Sequence, residues 1–202
     1  MRGLLVCVCG PDASGKTTAI KEFLKERPDW EVVKFPNRST AIGDKIDRIL
    51  KGEMKISKEA ELKLFADNRS EFRNYIFSKL SSGVNVILDR YVYCSAAYNS
   101  ALQFDEFFAG KTRLMSKRLS IENIIRLDRD NYKPDLAILA VADYSASRNV
   151  KEKYDCLDRN VLVSNYIQAF IHTGTPFCVL DESISKKIDK FCDPNNKLVR
   201  FL

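Results

Sequence analysis

The sequence predicts an α/β fold, a parallel sheet covered by helices on both faces, and three observations carry that expectation. Strand-like and helix-like segments alternate along the whole chain. The runs Leu4–Cys9, Val84–Leu88 and Leu136–Val141 are almost wholly apolar, as strands buried on both faces are. The first of them stops at a glycine and gives way at once to a helical pattern, the strand–turn–helix order of a parallel sheet.

Taken in order, Leu4–Cys9 is the first strand, and Gly10-Pro11-Asp12-Ala13-Ser14-Gly15-Lys16-Thr17-Thr18 follows it. This stretch fits the spacing of a phosphate-cradling loop: glycines bring successive N–H groups around a phosphate, and a helix N-terminus adds its dipole. Lys16 reaches the β- and γ-phosphates in such a loop, and the Thr17 hydroxyl can ligate magnesium. The loop therefore points to a bound nucleoside triphosphate.

A helix over Thr17–Arg27 ends before Pro28. Glu31–Phe35 is β-branched and closed by Pro36, a second strand. Ile42, Ile46, Ile49 and Leu50 mark a helix stopped by Gly52, and Ser57–Leu80 reads as one longer helix ended by Gly83. The strand Val84–Leu88 delivers Asp89-Arg90-Tyr91 at its C-terminal end, where open parallel sheets place ligand-binding groups. Asp89 is the natural second carboxylate beside the magnesium of a phosphate-loop enzyme. Residues 103–119 lack a period and read as an insertion or a partly helical excursion. Leu136–Val141 is again a strand, and the charged stretch at about 144–158 has the composition of a lid. Val161–Ile171 reads as a helix, Phe177–Leu180 as the last strand and Ser185–Phe191 as the closing helix.

The composition bounds the rest. A chain of 202 residues with 45% hydrophobic and 30% charged residues suits one globular domain, 1–202. The six cysteines form no C-x-x-C pair and the single histidine is His172, which argues against zinc and for reduced thiols in a cytoplasmic protein. No apolar run reaches membrane-spanning length, and no secretory leader is expected ahead of the first strand. The net charge of +6 is dispersed, so nucleic acid is not the expected partner. Arg38, Arg69 and Arg90 are instead available to grip an anionic acceptor, since the guanidinium fork suits phosphate oxygens.

These residues together resemble the thymidylate kinase family of phosphate-loop nucleoside monophosphate kinases. The likeness rests on the glycine loop with Asp12, on Phe35-Pro36-Asn37-Arg38-Ser39-Thr40 and on Leu64–Arg69. Asp89-Arg90-Tyr91 and Lys133-Pro134-Asp135-Leu136 complete it, in the right order over nearly the whole chain. The resemblance implies phosphorylation of dTMP to dTDP by ATP with Mg2+, in a homodimer. Gly10, Asp12, Ala13, Ser14, Gly15, Lys16, Thr17 and Thr18 would hold ATP, with Arg148 on its adenine and Asp181 in the adenine-side loop. Asp12 would also meet the sugar 3′-hydroxyl, and Arg38 and Arg90 the dTMP phosphate. Phe35 and Leu50 would help wall the acceptor pocket, with Phe65 stacked on thymine, Arg69 on the base edge, Tyr98 lining the pocket and Tyr154 beside the sugar.

The chain departs from the family pattern in three places. Residues 103–119 are inserted, Cys94-Ser95 replaces the usual Ser-Gly, and Ala13 stands where one branch carries a catalytic arginine. Lys151 and Lys153, in the lid, then join Lys16, Asp89 and Arg90 as the expected catalytic groups. A deoxynucleoside kinase would have no use for two arginines on an acceptor phosphate. A non-catalytic nucleotide-binding protein would not need Lys16, Thr17 and Asp89 together.

Overall fold

The computed structural model describes residues 1–108, 120–144 and 157–195. Strands β1 (Leu5–Cys9), β2 (Glu31–Lys34), β3 (Val86–Asp89), β4 (Leu136–Leu139) and β5 (Phe177–Val179) form one sheet in the order β2-β3-β1-β4-β5, every pairing parallel. The helices are α1 (Lys16–Glu26), α2 (Ala41–Leu50), α3 (Lys58–Ser70), α4 (Arg73–Ser81), α5 (Val92–Phe108), α6 (Ile121–Arg126), α7 (Arg159–Thr173) and α8 (Ile184–Cys192). This is the architecture expected from the alternation of segments.

The apolar strands have two cores to fill. Alternate side chains of a strand point to opposite faces. Leu5, Cys7 and Cys9 accordingly pack with Val33, Leu88 and Leu139 against α2 to α7, while Val6 and Val8 pack with Ile87, Leu136 and Ile138 against α1 and α8. Central β1, β3 and β4 are completely buried. Side-chain caps begin several of the helices: Thr40 accepts from Gly43 N at 3.0 Å and Ser57 from Ala60 N at 3.2 Å. Asp158 accepts from Asn160 N and Val161 N at 2.8 and 3.0 Å. Asp135 joins β1 to β4, its carboxylate accepting Leu5 N at 2.8 Å and pairing with Arg2.

One sequence expectation needs correction. The long helix over 57–80 is two helices, broken at Glu71 and Phe72, where the Phe72 ring turns onto Phe35 with centroids 5.8 Å apart. Over 92–101, α5 carries no helical signature because it is covered all round: Val92, Tyr93, Ala96, Ala97, Tyr98 and Ala101 are buried, and so are Ser95, Asn99 and Ser100, so no exposed polar stripe alternates with them. Of the stretch 103–119, read as an insertion or a partly helical excursion, 103–108 continue α5, and 109–119 lie outside the described residues. The lid residues 145–156 lie outside them as well. Among the described residues no helix is long and apolar enough to cross a membrane.

Candidate active site

The glycine loop joins β1 to α1 at the C-terminal edge of the sheet. Gly10 is required by space: a Cβ there would lie 2.2 Å from the Ala140 carbonyl oxygen. Lys16 is buried, 5% exposed, and its Nζ donates to the Gly10 and Pro11 carbonyls at 3.0 and 2.5 Å and to Ser14 Oγ at 3.0 Å. Burial, and after it the nearby Arg90 charge, push the Lys16 ammonium down to about 8. Thr17 and Thr18 are exposed on the first turn of α1. Ala13 and Arg90 both have positive φ, 53° and 71°, conformations unfavourable to side-chain-bearing residues and characteristic of functional sites.

Beside the loop lies a cavity of about 540 Å³. Asp12, Arg38, Arg69 and Arg90 line it together with Phe35, Leu50, Phe65 and Tyr98. The structure thus gathers in one place all the acceptor residues assigned from sequence except Tyr154. That residue, like Arg148, Lys151 and Lys153, falls outside the described residues. The Arg90 guanidinium pairs with the Asp12 carboxylate, and the Tyr98 hydroxyl accepts from Asp12 N at 2.9 Å and donates to its Oδ2 at 3.1 Å. Arg38 pairs with Asp47 at 2.8 Å. Asp89, 5% exposed at the end of β3, has Lys34 Nζ 3.8 Å away. Asp181 sits beyond β5, pairs with Lys187 and is not part of the cavity wall.

Several contributors have no signal in the sequence. Asp128 receives both Nε and Nη2 of Arg69, each at 2.6 Å, while Nη1 donates to Ser95 Oγ at 3.1 Å. Arg159 Nη1 donates to the Asp12 carbonyl at 3.1 Å, and its Nη2 to the carbonyls of Val141, at 3.3 Å, and Ala142. Tyr166, fully buried in α7, donates to the Gly10 carbonyl at 3.1 Å. Asp128 stands 59 residues from Arg69, Arg159 147 from Asp12 and Tyr166 156 from Gly10, so no spacing rule finds these pairs. Cys94 also lines the cavity, and burial pushes its thiol well above the usual range, which favours the neutral form.

A phosphate loop beside a cavity lined by Arg38, Arg69 and Arg90 is suited to phosphoryl transfer to an anionic acceptor. Comparison with known proteins decides which kind. The sequence model of the family described as Thymidylate kinase matches residues 8–153, well over half of the chain. The chain belongs to the thymidylate kinase family. It is 32% identical over 196 residues to the thymidylate kinase of Schizosaccharomyces pombe, across 91% of this chain and 86% of that relative. The solved thymidylate kinase structure from Candida albicans superposes with a TM-score of 0.70 at 25% identity, covering 94% of this chain and 90% of the other. That from Ehrlichia chaffeensis, at 18% identity, shares the fold with a TM-score of 0.66. Thymidylate kinases are nucleotide-binding transferases, and this chain is an enzyme of that class. Nothing in these comparisons favours a deoxynucleoside kinase or a non-catalytic binding protein.

Proposed function

We propose that this thymidylate kinase family member transfers the γ-phosphate of ATP to dTMP, giving dTDP and ADP. The supporting observation is that Asp12 of the phosphate loop and Arg38 and Arg90 line one cavity, which brings an acceptor phosphate alongside the donor loop. Little covalent work falls to the protein, and catalysis is positioning plus charge stabilisation. Lys16 exchanges its carbonyl partners for donor phosphates. Asp12, held by Tyr98 and Arg90, orients the sugar. Arg38 and Arg90 hold the acceptor phosphate, and Phe65 and Arg69 meet the base.

The residues present fit a magnesium ion carried with ATP. Thr17 offers an exposed hydroxyl and Asp89 a strand-end carboxylate, the few hard oxygen donors that magnesium takes alongside nucleotide phosphates. Once bound, the ion would neutralise phosphate charge. Arg148 on adenine, Tyr154 beside the sugar, Asp181 near the adenine, and Lys151 or Lys153 over the phosphates complete the reading. A homodimer in the cytoplasm, as the family likeness suggests, belongs to it too.

The test is acceptor discrimination. Arg38→Ala and Arg90→Ala should each cost about 1.5–3 kcal/mol in kcat/KM for dTMP, the range for charged hydrogen bonds, while thymidine stays a poor acceptor of the wild type. Efficient phosphorylation of thymidine, with both variants unimpaired on dTMP, would favour a deoxynucleoside kinase.

A further inference from the structure

Arg38 stands on an irregular loop, residues 37–40, between β2 and α2. A phosphate-gripping arginine needs a fixed Cα, and a turn without ladder bonds does not supply one. The loop is held from outside, by Asn68 of α3. Asn68 is completely buried. Its Oδ1 accepts from Asn37 N at 2.7 Å and its Nδ2 donates to the Asn37 carbonyl at 3.1 Å, so one amide side chain takes both polar groups of Asn37 as a neighbouring strand would. The same Nδ2 lies 3.1 Å from Thr40 Oγ1 and 3.0 Å from Glu71 Oε2, and Thr40 Oγ1 donates to Glu71 at 2.8 Å. The far side of the loop is equally fixed, because a Cβ on Gly43 would lie 1.8 Å from the Asn37 carbonyl oxygen.

Asn68 also sits next to Arg69 and one helical turn after Phe65, both on the cavity wall. A single rigid helix therefore carries the groups at the base end and the group that fixes the phosphate end. We infer that Asn68 is a positioning residue for the acceptor phosphate: through the main chain of Asn37 it sets Arg38 at a fixed distance from Phe65 and Arg69. The spacing then selects an acceptor of the length of a nucleoside monophosphate. This rests on the reading that Arg38 takes the acceptor phosphate.

A double-mutant cycle tests it, with steady-state kinetics in ATP and dTMP for Asn68→Ala, Arg38→Ala and the pair. Asn68→Ala should raise KM for dTMP about tenfold, the equivalent of one to two hydrogen bonds, and leave KM for ATP within about twofold of wild type. In the Arg38→Ala background the same change should add nothing, because its effect runs through Arg38. Additive losses, or an equal rise in both KM values, would overturn the positioning role while Arg38 kept its own. An unchanged KM for dTMP in Arg38→Ala alone would instead remove the phosphate reading, and the inference with it. Glu71→Ala cuts the network at its exposed end and serves where Asn68→Ala does not fold. A rise of about threefold in KM for dTMP is expected there, and an unchanged value counts against the role of Asn68.

Discussion

Arg69 and Asp128 meet fork to carboxylate, with two N–H···O contacts of 2.6 Å and both side chains only 3% exposed. The pair joins α3 to the turn after α6 and turns the remaining Arg69 nitrogen toward Ser95 and the cavity. Removing one partner of a buried pair leaves an uncompensated charge, which costs about 3–5 kcal/mol. Asp128→Ala should therefore lower the free energy of urea-induced unfolding by about that amount. An unfolding curve shifted by less than about 1 kcal/mol would mean the Arg69 charge finds other compensation.

Lys16 makes nucleotide binding proton-linked. In the free enzyme its ammonium titrates near 8, below the ordinary 10.5, because it is buried and lies near Arg90. Donor phosphates favour the charged form, so ATP binding above about pH 8 must take up a proton, and affinity falls as pH rises through that value. In the absence of nucleotide the sign is reversed. Between pH 8 and 10.5 the unfolded chain binds more protons at this site, so its contribution to stability rises with pH there. Calorimetry of ATP binding in buffers of different ionisation enthalpy should show uptake at pH 8.5 and little at pH 7. No uptake at either pH would place Lys16 away from the phosphates.

Arg159 ties the phosphate loop to the segment leaving β4, through the carbonyls of Asp12, Val141 and Ala142. Hydrogen bonds from a charged donor are worth about 1.5–3 kcal/mol, so Arg159→Ala should reduce kcat/KM by roughly 10- to 100-fold. Arg159→Lys should recover little, since a point charge does not span carbonyls on two segments. Near wild-type turnover in the alanine variant would show that the loop keeps its shape unaided.

The contrast between these residues shows what was legible in the sequence. The first strand, its glycine loop and α1 are local, and each step follows from neighbours a few residues apart. Arg38, Phe65 and Arg90 were found as parts of family motifs, and the cavity brings them together. Asp128 and Arg159 give no sequence signal, because Arg69 and Asp12 lie 59 and 147 residues from them and an ordinary surface charge reads the same. The first part of α5, 92–101, is silent for the opposite reason, since burial all round erases the periodicity that betrays a helix. The break between α3 and α4 depends on the Phe72 ring finding Phe35, a tertiary contact that overrides the helical pattern running through Phe72.

The most direct test of the account is a coupled assay of ADP release with ATP and dTMP, run on the wild type and on Lys16→Ala. The wild type should release one ADP for each dTDP formed. Lys16→Ala should fall to background while melting as a folded protein. No dTMP-dependent ADP release by the wild type, or turnover near the wild-type rate by Lys16→Ala, would contradict it.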